Sequence, residues 1–340
     1  MSNPSPHTLL DPDILDEKTS RLETERANAM RNHIHSAILL AGIGLLLAIS
    51  CWMIWGITGV IGTTASIAIL YFVAPRLPPK VVMQLYSARL VDHANGGQLI
   101  EIAEALAQRG NLSSVPALYI VPSLTLNAFT TGSRGNAAIA LTEGLLRRLD
   151  LREIAAVLAH EMSHIVNNDL SVMGLADLMS RFLLALSYAA AFLGLLNIFF
   201  MLTAGEAFVS WLGIALLYIA PAFSSVLQLR LSRTREYNAD RTAVYLTSDP
   251  ESLASALGKL ERYTGQFWED LMFPVPGRRI PQPSSLRSHP TTEERISRLQ
   301  HMQMPQDHPP LLITEQPIIT LAGVGPIALR PRYRFPGLWY

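Results

Sequence analysis

"SAILLAGIGLLLAISCWMIWGITGVIGTTASIAILYFVAP", residues 36–75, runs for forty positions without one charged side chain. A helix needs about 20 apolar residues to cross the hydrocarbon core of a bilayer, so this stretch is too long for one span and suits two. The segment "WGITG" divides it into a span near 36–55, a tight glycine turn and a second span near 57–75. A second block, 182–229, holds a single charge, Glu206, and divides at "TAGEA" into spans near 182–203 and 207–229. Asn197, Pro221 and Gln228 interrupt that later pair. The rival reading is an apolar core hairpin in a water-soluble protein, but stretches this long exceed ordinary globular helices. The chain is therefore expected to be a mainly α membrane protein with about four transmembrane helices in two hairpins.

Basic residues give the orientation. Arg26 and Arg31 precede the first span, and Arg76 and Lys80 follow the second. Arg181 precedes the third span, and Arg230, Arg233 and Arg235 follow the fourth. Neither hairpin turn carries Lys or Arg. The positive-inside rule then puts both termini and all the polar sequence in the cytoplasm. The same blocks explain a composition of 49% apolar and 16% charged residues, where soluble domains carry about a quarter charged. Formal net charge is +0, which excludes a basic field for nucleic acid. Cys51 stands alone inside the first span, so neither an intrachain disulfide nor a zinc–thiolate site is available. The first 35 residues show no apolar h-region with a cleavage site, and the first hairpin is expected to direct insertion itself.

These boundaries predict an N-terminal cytoplasmic segment (1–35), a hairpin (36–75), a polar region (76–181), a second hairpin (182–229), a second polar region (230–302) and a proline-rich tail (303–340). The first polar region reads as mixed. "NGGQLIEIAEALAQRGNL" has helical spacing with a stop at Gly110–Asn111, and "VPALYIV" reads as a strand. "NAFTTGSRGNAAIALT" reads as two short strands around a glycine turn. In "DLREIAAVLAHEMSHIVNND", Asp150 and Glu153 form a capping-box pattern. Ile154, Val157, Leu158, Met162 and Ile165 then recur at helical spacing. Beyond the fourth span, "LSRTREYNADRTAVYLT" and "DPESLASALGKLERYTGQF" read as separate helices, the latter capped by Asp249, and 291–302 as a short one. The tail shows no clear element.

On the helix through "LAHEMSHIVNND" (158–169), His160 and His164 lie four residues apart and project from one face. Neutral imidazoles in that arrangement suit a single Zn²⁺ per chain, and Glu161 beside them is placed to accept a proton from water. Two histidines on an ordinary helix would also satisfy so short a motif, so a third ligand matters. Cysteine is excluded. His7, His33, His35, His93, His289, His301 and His308 do not follow the motif closely, and position 170, where a metzincin carries its third histidine, is Leu170. A carboxylate must serve. In "SRTREYNAD", Glu236 and Asp240 are four apart, which suits a metal ligand and a group orienting one of the histidines. A solvated helix face pairing with Arg235 or Arg241 fits that spacing equally well.

"LAHEMSHIVNND", an apolar hairpin, "SRTREYNADRTA" and "HPTTEERISRL", in that order, resemble the HtpX-type integral-membrane zinc metalloproteases over roughly residues 36–302. These are gluzincins related to the CaaX-type prenyl-protein endopeptidases and to mitochondrial quality-control metalloproteases. The resemblance implies a cytoplasmic α+β, zincin-like protease domain with a small sheet, set in a bacterial plasma membrane. It implies Glu236 as third zinc ligand, Asp240 as the orienting carboxylate and Glu161 as general base. "LNAFTTG" resembles the edge strand beside the cleft, with Asn127, Ala128 and Phe129 lining the substrate groove. "HPTTEERI" implies that His289 and Arg295 approach the scissile carbonyl. The implied substrates are polypeptides, in particular damaged or misfolded membrane proteins met during stress. The alternatives are a CaaX-type processing enzyme, which would need more spans, and a silent adaptor of the same fold, which would have no need of Glu161.

Overall fold

The computed structural model describes residues 12–73, 78–272, 291–302, 309, 311, 333–334 and 338–339. The first element, α1 (Pro12–Val73), leaves helical geometry once, at Gly56 (φ 60°, ψ −152°), a conformation essentially reserved for glycine. The chain doubles back there. Thr63 Oγ1 donates to Cys51 Sγ over 3.2 Å although they are twelve residues apart, a separation of about 18 Å along a straight helix. Ile67 on the returning arm packs with Ile43, Leu47 and Cys51. The hairpin expected at "WGITG" is thus formed, and its outgoing arm continues the polar helix that begins at Pro12.

Among the described residues three helices are long and apolar enough to cross a membrane: Ile34–Ile69 within α1, α6 (Asp169–Ala204) and α7 (Trp211–Thr247). The first of them is the folded pair of arms, which accounts for the difference from the four spans expected. Large apolar side chains such as Trp52, Phe72, Leu195 and Leu202 stand exposed along these helices, as a lipid-facing surface requires. Small and branched residues (Ile43, Ala176, Leu183, Ala220) are buried where the helices meet. Asn197 does not weaken the second hairpin but closes it. Its amide donates to Val209 O over 2.7 Å and accepts from Val209 N over 2.8 Å, satisfying backbone groups of the turn. Gly205 (φ 76°) ends α6 in the left-handed conformation.

The boundaries expected at 181/182 and 229/230 both fall inside continuous helices. Pro221 sits within α7 without ending it, so the segment read as a separate helix, "LSRTREYNAD", is part of the polar half of α7. This joins membrane and polar regions through rigid elements rather than linkers.

The polar region is built on a four-stranded sheet of order β1-β2-β4-β3. Its strands are β1 (Arg89–Leu90), β2 (Ala117–Val121), β3 (Ala128–Ser133) and β4 (Asn136–Thr142). β2 and β4 run parallel, and β3 is antiparallel to β4 with Thr130 opposite Ile139. The two-residue β1 was not legible in the sequence. Alternation along β4 sends Ala137, Ile139 and Leu141 into the main core and Ala138 and Ala140 to the other face. On that other face lies the short α2 (Pro79–Leu85), where Met83 and Tyr86 cover the alanines together with Phe129. The main core is closed by α3 (His93–Arg109), α5 (Leu151–Val166), the end of α7, α8 (Pro250–Met272) and α9 (Thr292–Gln300). The helix α4 (Glu143–Arg148) links β4 to α5. Asp249 caps α8 as expected, accepting from Ser252 N over 3.1 Å. The tail, expected to hold no clear element, contributes a two-residue antiparallel pair, β5 (Tyr333–Arg334) and β6 (Leu338–Trp339).

Candidate metal centre

α5 forms because both of its ends and one face are specified locally. Glu153 N donates to Asp150 Oδ1 and Asp150 N to Glu153 Oε2, each over 2.9 Å, completing the capping box. Ile154, Val157, Leu158, Met162 and Ile165 are buried in the core. That leaves His160, Glu161 and His164 half-buried on the side facing α7 and β3. The two imidazole rings meet edge to face, their centroids 5.0 Å apart.

Tertiary packing brings α7 against this face. Glu236 presents Oε2 to His160 Nε2 over 3.4 Å, close to the separation of about 3.3 Å between two ligands at roughly 2.05 Å on a tetrahedral Zn²⁺. One donor atom from each of His160, His164 and Glu236 lies within 4.8 Å of the other two. The helix spacing alone left Glu236 and Asp240 as either ligands or a solvated pair. Both are buried, at 8% and 3% exposure, which rules out the solvated face.

Behind the ligand atoms each histidine meets a carboxylate, and each carboxylate meets an arginine. His160 Nδ1 lies 3.2 Å from Asp240 Oδ1. Arg295 clamps Asp240 with two donors, Nε to Oδ2 over 2.8 Å and Nη2 to Oδ1 over 2.5 Å. His164 Nδ1 lies 2.9 Å from Asp169 Oδ2. Arg235 Nη1 donates to Asp169 Oδ1 over 2.7 Å. With both Nδ1 atoms held by carboxylates, the Nε2 lone pairs are the ones available to a metal. Asp169 and Arg235 were missed as site residues in the sequence. The available signal was "VNND": Asn168 adopts a left-handed φ of 56°, and the tight turn it makes folds Asp169 back under His164.

The charges suit a divalent cation. Four carboxylates (Glu161, Glu236, Asp240, Asp169) face two guanidiniums (Arg235, Arg295), a formal excess of two negative charges around the imidazoles. Burial pushes the His160 pKa down, but the hydrogen bonds and charges of Asp240 and Glu236 outweigh it and raise the value to about 10 in the absence of a cation. A metal ion would take the place of that proton. The donor set, two imidazole nitrogens and one carboxylate, is that of a catalytic zinc site with an open fourth position.

Arg295 was expected near the scissile carbonyl. It is buried, 8% exposed, and its guanidinium is turned to Asp240 and to Glu236 Oε2, 3.4 Å away. In this structure its contacts are those of a group that holds Asp240 and Glu236 in place. His289 lies outside the described residues. Just before β3, Asn127 N donates to Thr142 Oγ1 and Asn127 O accepts from Thr142 N, both over 3.0 Å, pinning the start of the strand. Ala128 packs toward the main core, whereas the Phe129 ring meets Tyr86 of the α2 layer at a tilt of 43°, centroids 4.8 Å apart. Phe129 therefore sits on the sheet face away from α5. A contact not anticipated is Thr130 Oγ1, which donates to Glu161 Oε2 over 2.8 Å.

Long apolar helices, a small mixed sheet and a histidine–histidine–glutamate cluster followed by a buried aspartate define a membrane metalloprotease of gluzincin type. The family model described as "Peptidase family M48" matches residues 93–303, and the chain belongs to that family, whose members are in general zinc-dependent. "Protease HtpX homolog" of Desulforapulum autotrophicum is 34% identical over 293 residues, covering 80% of this chain and 90% of that protein. The protein of the same description from Burkholderia mallei is 33% identical over 286 residues, covering 80% of this chain and 98% of that one. The crystal structure of S. mikatae Ste24p superposes with a TM-score of 0.49 at 21% identity, covering 80% of this chain and 65% of that one.

Proposed function

We propose that the protein is a zinc-dependent endopeptidase that cleaves cytoplasmic segments of damaged or misfolded membrane proteins at the His160–His164–Glu236 centre. The observation that carries this reading is the convergence of those three ligands within 4.8 Å, with Glu161 one residue from the first of them. A bound zinc ion supplies Lewis acidity toward the scissile carbonyl and lowers the pKa of water to about 7. Glu161 then accepts the proton of the attacking water and delivers it to the departing amine nitrogen. Asp240 and Asp169 hold the two imidazoles in the tautomer that leaves Nε2 free, and Arg295 and Arg235 hold the aspartates.

The peptide would enter as an extended strand along the outer edge of β3. Asn127 O accepts from the directly opposite Thr142 N, so in an antiparallel ladder Phe129 and Thr131 also bond inward, and the peptide groups of Ala128 and Thr130 face outward. These outward groups are the ones a substrate strand would pair with. The cytoplasmic assignment is supported by Arg230, Arg233 and Arg235, which stand on α7 between its apolar half and the metal ligands. A membrane-protein substrate is supported by α6 and α7, which run from the apolar region directly into the centre.

The test is Glu161→Gln in detergent-purified protein. Peptide cleavage is expected to fall by about a hundredfold or more, while zinc content stays at the wild-type level. Cleavage that survives the substitution, or that a chelator does not stop, overturns the assignment. Client binding without any wild-type cleavage would favour the adaptor.

A further inference from the structure

The Glu161 carboxylate is held by another element. Thr130 Oγ1 donates to Glu161 Oε2 over 2.8 Å and lies 3.2 Å from the carbonyl oxygen of the same residue. Glu161 Oε1 has no hydrogen-bond partner among the described residues. The contact joins α5 to the edge strand β3, and alternation along that strand decides which residue makes it. Ala128 packs on the α5 side and Phe129 on the α2 side, so Thr130 returns to the α5 side. By the same alternation its peptide group is on the outward edge. One residue therefore presents its main chain to an incoming strand and its hydroxyl to the base.

We propose that Thr130 is a positioning residue for Glu161: its hydroxyl fixes Oε2, so that Oε1 is the oxygen left to meet the attacking water, and pairing of a peptide with the Thr130 main chain sets substrate and base in register. The proposal rests on the protease reading given above. A glutamate side chain has three rotatable bonds, and a hydrogen bond to its charged end removes much of that freedom before substrate arrives. The hydroxyl has one proton and two acceptors in reach. It is able to turn to the Glu161 carbonyl when the carboxyl itself carries a proton, and so keeps its place through turnover.

Simple packing of β3 against α5 would need no hydroxyl. Valine has nearly the same shape and is at least as favourable in a strand. The experiment is steady-state cleavage of a peptide by the full-length protein in detergent, comparing wild type, Thr130→Val and Thr130→Ser, with zinc content measured on each. For Thr130→Val, kcat is expected to fall about tenfold, the size of a lost hydrogen bond to a charged group. KM should stay within about twofold, because strand pairing uses the main chain, and zinc content should be unchanged. Thr130→Ser should recover most of kcat. An unchanged kcat in Thr130→Val, a rise in KM alone, or failure of serine to rescue overturns the positioning role while leaving the protease reading intact. Absence of chelator-sensitive cleavage in the wild type overturns both.

Discussion

Asp169 shows how much a single side chain does here that its place in the sequence hides. It accepts from Arg235 and holds His164 Nδ1, and it is 2% exposed at the first turn of a membrane helix. Carboxylates behind a ligating histidine raise its basicity and fix its ring, and their loss typically lowers metal affinity by about tenfold to a hundredfold. Asp169→Asn keeps the shape and is expected to weaken zinc binding by that factor, measured by competition with a chromophoric chelator. Far-UV circular dichroism should show an unaltered helix content. Wild-type affinity in this variant would show that Arg235 and the turn, not the carboxylate, hold the ring. The candidate histidine pair was legible because helical periodicity places His160 and His164 on one face regardless of context. The carboxylates were only half legible, since a spacing of four on α7 says that Glu236 and Asp240 share a face but not what that face meets.

At the scale of elements, local rules worked wherever both partners of an interaction sit within one turn. The capping box of α5 is the clearest instance, and it also receives help from afar. Glu153 accepts from Ser255 Oγ over 2.6 Å and Lys259 Nζ over 2.7 Å, both on α8. Burial pushes its pKa up, but the bonds from Lys259, Ser255 and Asp150 outweigh burial and hold it below the ordinary value. A folded-state pKa below the unfolded value of about 4.3 contributes stability that is complete above that pH and disappears as pH falls through the lower value. The gap in melting temperature between wild type and Glu153→Gln is therefore expected to be widest near neutrality and to close below about pH 4. A gap that does not narrow on acidification would assign the stabilisation to packing rather than charge. Element ends failed where the deciding partner was distant. Asn197 looked like an interruption of a span because its partner, Val209, lies twelve residues on, in the turn that closes the hairpin. Pro221 likewise looked like an interruption, yet α7 continues through it.

For the whole molecule, orientation in the bilayer is the property with the largest consequence, because it decides which compartment the centre serves. With Cys51 replaced by serine, a cysteine at Glu206→Cys is expected to react with a membrane-impermeant maleimide added outside intact cells, and one at Glu251→Cys only after permeabilisation. Both positions are exposed in the fold, and the reverse pattern would move the centre to the other side. Two long apolar blocks, with Glu206 their single charge, and a motif on a periodic helix were enough to imply membrane hairpins and a zinc-type donor pair, since hydropathy and helical spacing are properties of contiguous chain. Which carboxylate reaches His160, which one reaches His164, and which hydroxyl steadies Glu161 depend on residues up to 135 positions apart, such as Arg295 and His160. Those pairings exist only because α5, α6, α7, α9 and β3 pack around one point, and no local property of the chain encodes that approach.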